Sequence, residues 1–435
     1  MTDTVEAPAR GSDSFSPGRR RGGLRAIGLG LITGAADDDC SAIGTYASAG
    51  AKFGTTLLWT APVTFPMMFA VVYLSSKLGQ VTGRGLFHAL RDYMPRWVLY
   101  TTLAGVMVGN TIEAGADLGG MAAAINLFVP IPIPLIVIPV ALAILALQIW
   151  ASYTVIRNIF RWLALSLLAY VVAAFLAHPD PGAVIRGTLV PTVHFNRDFL
   201  SILVAIIGTS LSAYLYTWQS NEEVEEEIAK GHTEVVEREG TTSRELRETR
   251  HDILWGMAFS NIVMFFIILA TGSTLYPAGK HDISTAAQAA EALRPLAGDA
   301  AGVLFALGVI AVGFLAVPVM TTGAAYDLVQ SFGWRTSLHA RFREAKKFYL
   351  VIIAVTAVAA GLNFLGVNPM KALVLSGIVQ GFSTPPLLLL IMLMTNNSRV
   401  MGAQVNSRGM NILGWITTAA IFAATVGLVA TWVMG

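Results

Sequence analysis

Charge is what this sequence has least of. Only 13% of its 435 residues are Asp, Glu, Lys or Arg, where soluble domains carry about a quarter, so the chain cannot clothe a water-facing surface of its size. Cysteine is nearly absent too: the single Cys40 excludes an intramolecular disulfide and any metal site built from several cysteines. Long hydrophilic stretches are scarce, which leaves no room for a sizeable domain outside a membrane. What fills the chain is apolar sequence, 54% of the residues, gathered in about eleven blocks: Ile27–Ser48, Thr55–Leu74, Leu99–Phe128, Pro132–Ala151, Phe160–Ala177, Phe199–Trp218, Ile253–Tyr276, Ala301–Val319, Phe348–Leu365, Ala372–Met394 and Ile412–Trp432. Each is close to the roughly twenty residues with which a helix crosses about 30 Å of hydrocarbon. The pattern excludes a soluble enzyme, a nucleic-acid binder and a membrane β-barrel. It predicts an all-α integral membrane protein in a lipid bilayer, and the net charge of +2 points to no partner.

Residues 1–24 are rich in Ser, Pro, Gly and Arg and have no apolar core, so they read as a disordered cytoplasmic tail and not as a signal peptide. With the N-terminus inside, 23 of the 29 Lys and Arg residues fall in inner segments and 6 in outer ones. That asymmetry predicts a cytoplasmic N-terminus, an outer C-terminus and an odd number of spans, in a cell membrane. The chain divides into the tail, a first five-helix unit over 25–198, a second over 199–396, and an eleventh helix in 397–435. The longest connection, 221–252, is dominated by Glu and Arg. In it Thr242 and Glu245 have capping-box spacing, predicting a helix from Arg244, and Arg244 with Glu248 is spaced for a charge pair. This segment reads as a solvated helix or as a gate or partner-binding element. Gly381 to Pro386 should kink or loosen the tenth block.

Two blocks are interrupted by polar residues. The first carries Asp37, Asp38 and Asp39 near its midpoint; on the translocon scale three central aspartates in lipid would cost roughly 8 to 10 kcal/mol. Consecutive helical residues lie about 100° apart, so three in a row could not share one interior face of a continuous helix. The helix should therefore unwind there and free backbone carbonyls in a wet, protein-lined cavity; the other reading places the acids in an interfacial loop. The sixth block is interrupted by Gly208, Thr209, Ser210 and Ser212, residues that could equally serve helix packing. Five blocks separate the starts of the two interrupted ones, as two five-helix repeats would place them, and interrupted helices at matching positions point to a transporter's central site.

The stretches Gly34-Ala-Ala-Asp-Asp-Asp39-Cys40-Ser41-Ala42 and Gly208-Thr-Ser-Leu-Ser212-Ala213-Tyr214 resemble those of the NRAMP divalent-metal transporters, and most closely a divergent branch that includes magnesium transporters. The resemblance implies a leucine-transporter-like pair of inverted five-helix repeats with discontinuous first and sixth helices, plus an added helix. Asp39 matches the metal-ligating Asp of the family's Asp-Pro-Gly-Asn motif, whereas Cys40 stands for Pro, Ser41 for Gly and Ala42 for the ligating Asn. In the Met-Pro-His motif of the sixth helix, Ser212 replaces the thioether ligand, Ala213 the Pro, and Tyr214 the His associated with proton handling. Thr209 falls where the family offers a backbone carbonyl. The implied metal positions are thus Asp39, Ala42, Thr209 and Ser212, with a transported divalent ion as substrate and no resident cofactor.

Loss of a thioether hardens such a site toward Mg²⁺ or Mn²⁺, and loss of the Asn oxygen leaves room for an ion that keeps several waters. A Cys40 thiolate would restore softness, but three carboxylates beside it oppose its ionisation, so small-residue packing is the simpler role. In the third block Asn110, Glu113 and Asp117 share one helical face. Asp117 matches an acidic position of the family's proton route, and the second such position is Ala114. A relay, a cation vestibule and a structural polar network all remain open for these acids. Gln380 in the tenth block could line the same cavity with Asp37, Asp38 and Tyr214, or pack helices.

The sequence therefore predicts a non-enzymatic carrier of hard divalent cations working by alternating access. A rival is an ion-coupled carrier of amino acids or other organic solutes, against which three adjacent acids would repel a carboxylate. Another is an intramembrane aspartyl protease pairing Asp39 with Asp117.

Overall fold

The computed structural model describes residues 29–150, 167–334 and 342–434; the tail over 1–24 and the start of the fifth block lie outside the described residues. The first block is two helices, α1 (Leu29–Asp37) and α2 (Cys40–Phe53), separated at Asp38 and Asp39. Then follow α3 (Thr60–Thr82), a short surface helix α4 (Leu86–Tyr93), α5 (Arg96–Asn126), α6 (Ile133–Trp150), α7 (Leu168–Leu176) and α8 (Pro181–Leu189). The sixth block is again two helices, α9 (Arg197–Ser210) and α10 (Ala213–Ala229). The second half continues with α11 (Ser243–Thr274), α12 (Ala301–Ser331), α13 (Lys346–Leu362), α14 (Pro369–Thr395) and α15 (Arg408–Met434).

Six helical stretches among the described residues are long and apolar enough to cross a membrane: Thr60–Thr82, Arg197–Ala229, Ser243–Thr274, Ala286–Ser331, Pro369–Thr395 and Arg408–Val433. The other blocks sit on broken, shorter or more polar helices. In the first, no nine- or fourteen-residue half spans alone.

The two broken helices lie at the centre. α1 packs on α11, α2 on α11 and α14, α9 on α14, and α10 on α3 and α12, while α5 closes the far side against α12, α13 and α14. Glycine allows close packing beside both breaks. A Cβ at Gly34 would sit 2.2 Å from the Gly256 carbonyl oxygen on α11, and one at Gly208 would sit 1.9 Å from that of Gly377 on α14. Backbone therefore meets backbone beside each break, as small residues allow between helices in lipid. α15 is peripheral, with only 33% of its apolar window buried.

One local boundary shifts by a residue. The charged connection does open on a capping box, with the Thr242 hydroxyl accepting from the Glu245 N–H, but the helix starts at Ser243, one residue before Arg244. Arg244 and Glu248 pair at 2.9 Å on its exposed face. α14 is one continuous helix through Gly381 to Pro386. Pro385 cannot donate to the carbonyl four residues back, that of Gly381, and the Thr425 hydroxyl of α15 donates to it instead at 2.9 Å.

Candidate metal centre

Asp39 is the residue between the halves of the first helix. Its extended backbone (φ −67°, ψ −177°) makes it the N-cap of α2, and its Oδ1 accepts the Ala42 N–H at 2.6 Å. A capping side chain of this kind is worth about 1 kcal/mol to the helix, so one carboxylate oxygen is fixed by the fold. Oδ2 points the other way, to the Tyr214 hydroxyl of α10 at 3.1 Å. The same hydroxyl lies 2.8 Å from the Ala36 carbonyl, so one O–H serves two acceptors.

The second break supplies oxygen of another kind. Ser212 Oγ lies 2.9 Å from the Gly208 carbonyl, 3.0 Å from that of Thr209 and 3.2 Å from Glu113 Oε1. One hydroxyl proton again faces several acceptors. Glu113 Oε2 takes the Gln380 amide at 2.7 Å, and the same amide nitrogen lies 3.1 Å from Asn110 Oδ1. Asp117 Oδ1 accepts from both the backbone N–H (3.0 Å) and the hydroxyl (2.8 Å) of Ser41, whose Oγ also contacts Ser376 Oγ at 2.8 Å. On the opposite side Asp37 and Asp38 share the Ser260 hydroxyl, at 2.6 and 3.2 Å.

All five carboxylates are wholly inaccessible to solvent. Asp37 Oδ1, Asp38 Oδ2, Asp117 Oδ2 and the Thr209 hydroxyl have no hydrogen-bond partner. None of the ion pairs found among the described residues includes any of the five. Glu113, Asp117 and Asp37 are near enough to Asp39 for their charges to repel. The centre is rich in acceptors, poor in donors and without a basic side chain, which is the chemistry of a cation site and the reverse of an anion site. Among the described residues no group of three or more His, Cys, Asp or Glu side chains could hold a metal ion by themselves. An ion here would complete its shell with carbonyls, hydroxyls and water.

The structure thus brings Asp39, Thr209, Ser212, Glu113, Asp117, Asn110, Gln380 and Tyr214 around one buried centre, with Asp37 and Asp38 on its α11 side. Ala42 faces it with an N–H committed to Asp39, so the oxygen an Asn would offer at this position has no replacement in its side chain. Cys40 is buried and its thiol lies 3.4 Å from the Val309 carbonyl. Three serines were not singled out from the sequence as site residues: Ser41, Ser260 and Ser376. Ser376 lies four residues before Gln380, on the same helical face, which was a usable signal; Ser260 lies in an apolar block with no partner near it in sequence.

A family model described as "Natural resistance-associated macrophage protein-like" matches residues 30–431. The chain belongs to the Nramp family. Among curated relatives, the divalent metal cation transporter MntH of Bacillus subtilis (strain 168) is 25% identical over 420 residues, covering 94% of this chain and 92% of that one. Among solved structures, an Eremococcus coleocola manganese transporter superposes with a TM-score of 0.68 at 18% identity, covering 93% of this chain and 85% of that one. MhsT in complex with L-phenylalanine gives 0.56 at 11% identity, covering 93% and 98%. At these identities the structural likeness establishes the fold, which is leucine-transporter-like with discontinuous first and sixth helices. As an Nramp member the chain is an integral membrane transporter and not an enzyme.

Proposed function

We propose that this Nramp protein carries a divalent metal cation, Mn²⁺ or Mg²⁺, across the membrane by alternating access, with Asp39 as the charged ligand at the junction of the two broken helices. The carrying observation is the buried, donor-poor centre: five carboxylates with no basic residue, facing carbonyls freed by two helix breaks. The curated relatives named as divalent metal cation transporters and the manganese transporter of the same fold support the same reading. Asp39 Oδ2, the Thr209 carbonyl and the Ser212 hydroxyl would contact the ion. Glu113 stands behind Ser212, Asp117 holds Ser41 at the start of α2, and Asp37 and Asp38 add negative potential. The absence of a thioether at Ser212 and of an amide oxygen at Ala42 favours a hard ion that keeps part of its water. The basic-residue asymmetry favours an inner N-terminus and the α10–α11 connection on the cytoplasmic side of a cell membrane, and the two five-helix units meet near residue 198.

An organic-solute carrier shares the fold, but its substrate carboxylate would meet five acids here. Uptake of Mn²⁺, Mg²⁺ and Ca²⁺ into proteoliposomes, with and without a pH gradient, tests the reading. Saturable uptake of Mn²⁺ or Mg²⁺ is expected, and no divalent uptake would overturn it. Impermeant thiol labelling of single-cysteine variants in 221–252 from the inner side only would support the orientation.

A further inference from the structure

A sixth carboxylate with no solvent exposure lies outside the centre. Asp327 on α12 has no solvent exposure, neither of its oxygens has a hydrogen-bond partner, and it takes part in no ion pair found among the described residues. Leaving a buried polar group unsatisfied is costly, and more so for a charge. Donors are nevertheless close by, and each is engaged elsewhere. The hydroxyl of Thr217, which lies beside Asp327, donates to the Tyr214 carbonyl at 3.1 Å. Gln330 gives its amide to Asn221 Oδ1 at 2.5 Å, and the Tyr326 hydroxyl donates to Glu225 at 2.8 Å.

The position of Asp327 gives this orphan a use. Tyr214, which touches Asp39, and Thr217 and Asn221 follow at three- and four-residue steps along one face of α10, leading from the metal centre toward the α10–α11 end. α12 opposes them with Gly323, Asp327 and Gln330. At Gly323 an added Cβ would lie 3.3 Å from the Thr217 hydroxyl and 3.9 Å from the Tyr214 carbonyl, so at this position α12 presents backbone alone to them. Beyond Asp327 along the same faces lies the Asn221–Gln330 pair. It fits because residue 85 is glycine, where a Cβ would sit 2.0 Å from Asn221 Oδ1, and the His88 N–H of α4 fixes Gln330 at 3.2 Å.

Resting on the transport reading, we propose that Asp327 is a second, transient station for the divalent cation between Asp39 and the α10–α11 face, with the Asn221–Gln330 pair as the latch that must part to release it. One carboxylate, a hydroxyl and the Tyr214 carbonyl, completed by water, make a weak site, as conduction through successive sites requires.

The test uses the purified full-length protein with Mn²⁺ alone, counting bound ions by electron paramagnetic resonance and measuring uptake in proteoliposomes. Wild type should bind one ion tightly and a second at least tenfold more weakly. Asp327→Asn should lose the weak ion only, with maximal uptake about tenfold lower, while Asp327→Glu keeps both ions and most of the uptake. Asp39→Asn should lose the tight ion. Two ions bound by Asp327→Asn, wild-type uptake by it, or equal impairment of the Asn and Glu variants would overturn the station and leave the transport reading standing. A wild type that neither binds nor moves Mn²⁺ or Mg²⁺ would overturn both.

Discussion

The two helix breaks do different work. The first, at Asp38 and Asp39, brings charge: three consecutive carboxylates, one of which also caps the next helix through Ala42. The second, at Leu211 and Ser212, brings no charge; it presents the Gly208 and Thr209 carbonyls, both within 3.0 Å of one serine hydroxyl. On the proposed reading, binding strength and ion choice would be separable here: the first break would supply electrostatic attraction for any cation, whereas the second would set how soft and how hydrated that cation can be.

If charge resides at the first break, removing it should have the largest effect. Asp39→Asn keeps the Ala42 cap acceptor and loses the charge, and Mn²⁺ uptake should fall at least 100-fold, equivalent to about 3 kcal/mol. Near wild-type uptake would remove Asp39 from the site. At the second break, Ser212→Met should shift preference from Mg²⁺ toward Mn²⁺ or Cd²⁺ by roughly 5- to 30-fold, or about 1 to 2 kcal/mol for one soft contact, and Ala42→Asn should add to the shift. Competition uptake in the single and double variants measures it, and an unchanged ion order would mean that neither position faces the ion. The acids of α5 stand between these extremes in position and below both in effect. Asp117→Asn retains an oxygen for Ser41, so the apparent KM should rise a few-fold, about 1 kcal/mol or less, with maximal uptake preserved. Abolished uptake in this variant would place Asp117 among the ligands.

The breaks were legible in the sequence because lipid enforces them. Three aspartates inside an apolar block have no continuous-helix solution, and a second polar interruption, the hydroxyl run of the sixth block, follows five blocks later. The shared face of Asn110, Glu113 and Asp117 followed from helical spacing alone. Long-range pairing was not legible: nothing local to Ser260 announces that it lies between Asp37 and Asp38, more than two hundred residues away. The same holds for Thr425, whose hydroxyl takes up the Gly381 carbonyl that Pro385 leaves without a backbone donor. Asp327 was hidden for a different reason. A single acid near the end of an apolar block reads as its solvent-facing terminus, and only its burial against α10 shows otherwise.

The central claim is that the ion rests where the two breaks meet, and a diffraction map of Mn²⁺-soaked crystals at the manganese absorption edge tests it most directly. The strongest anomalous peak should lie about 2 to 2.5 Å from an Asp39 oxygen, the range for oxygen ligands of hard cations, and within reach of the Thr209 carbonyl or Ser212 hydroxyl. A strongest peak between Asp37, Asp38 and Ser260, with none at Asp39, would contradict it.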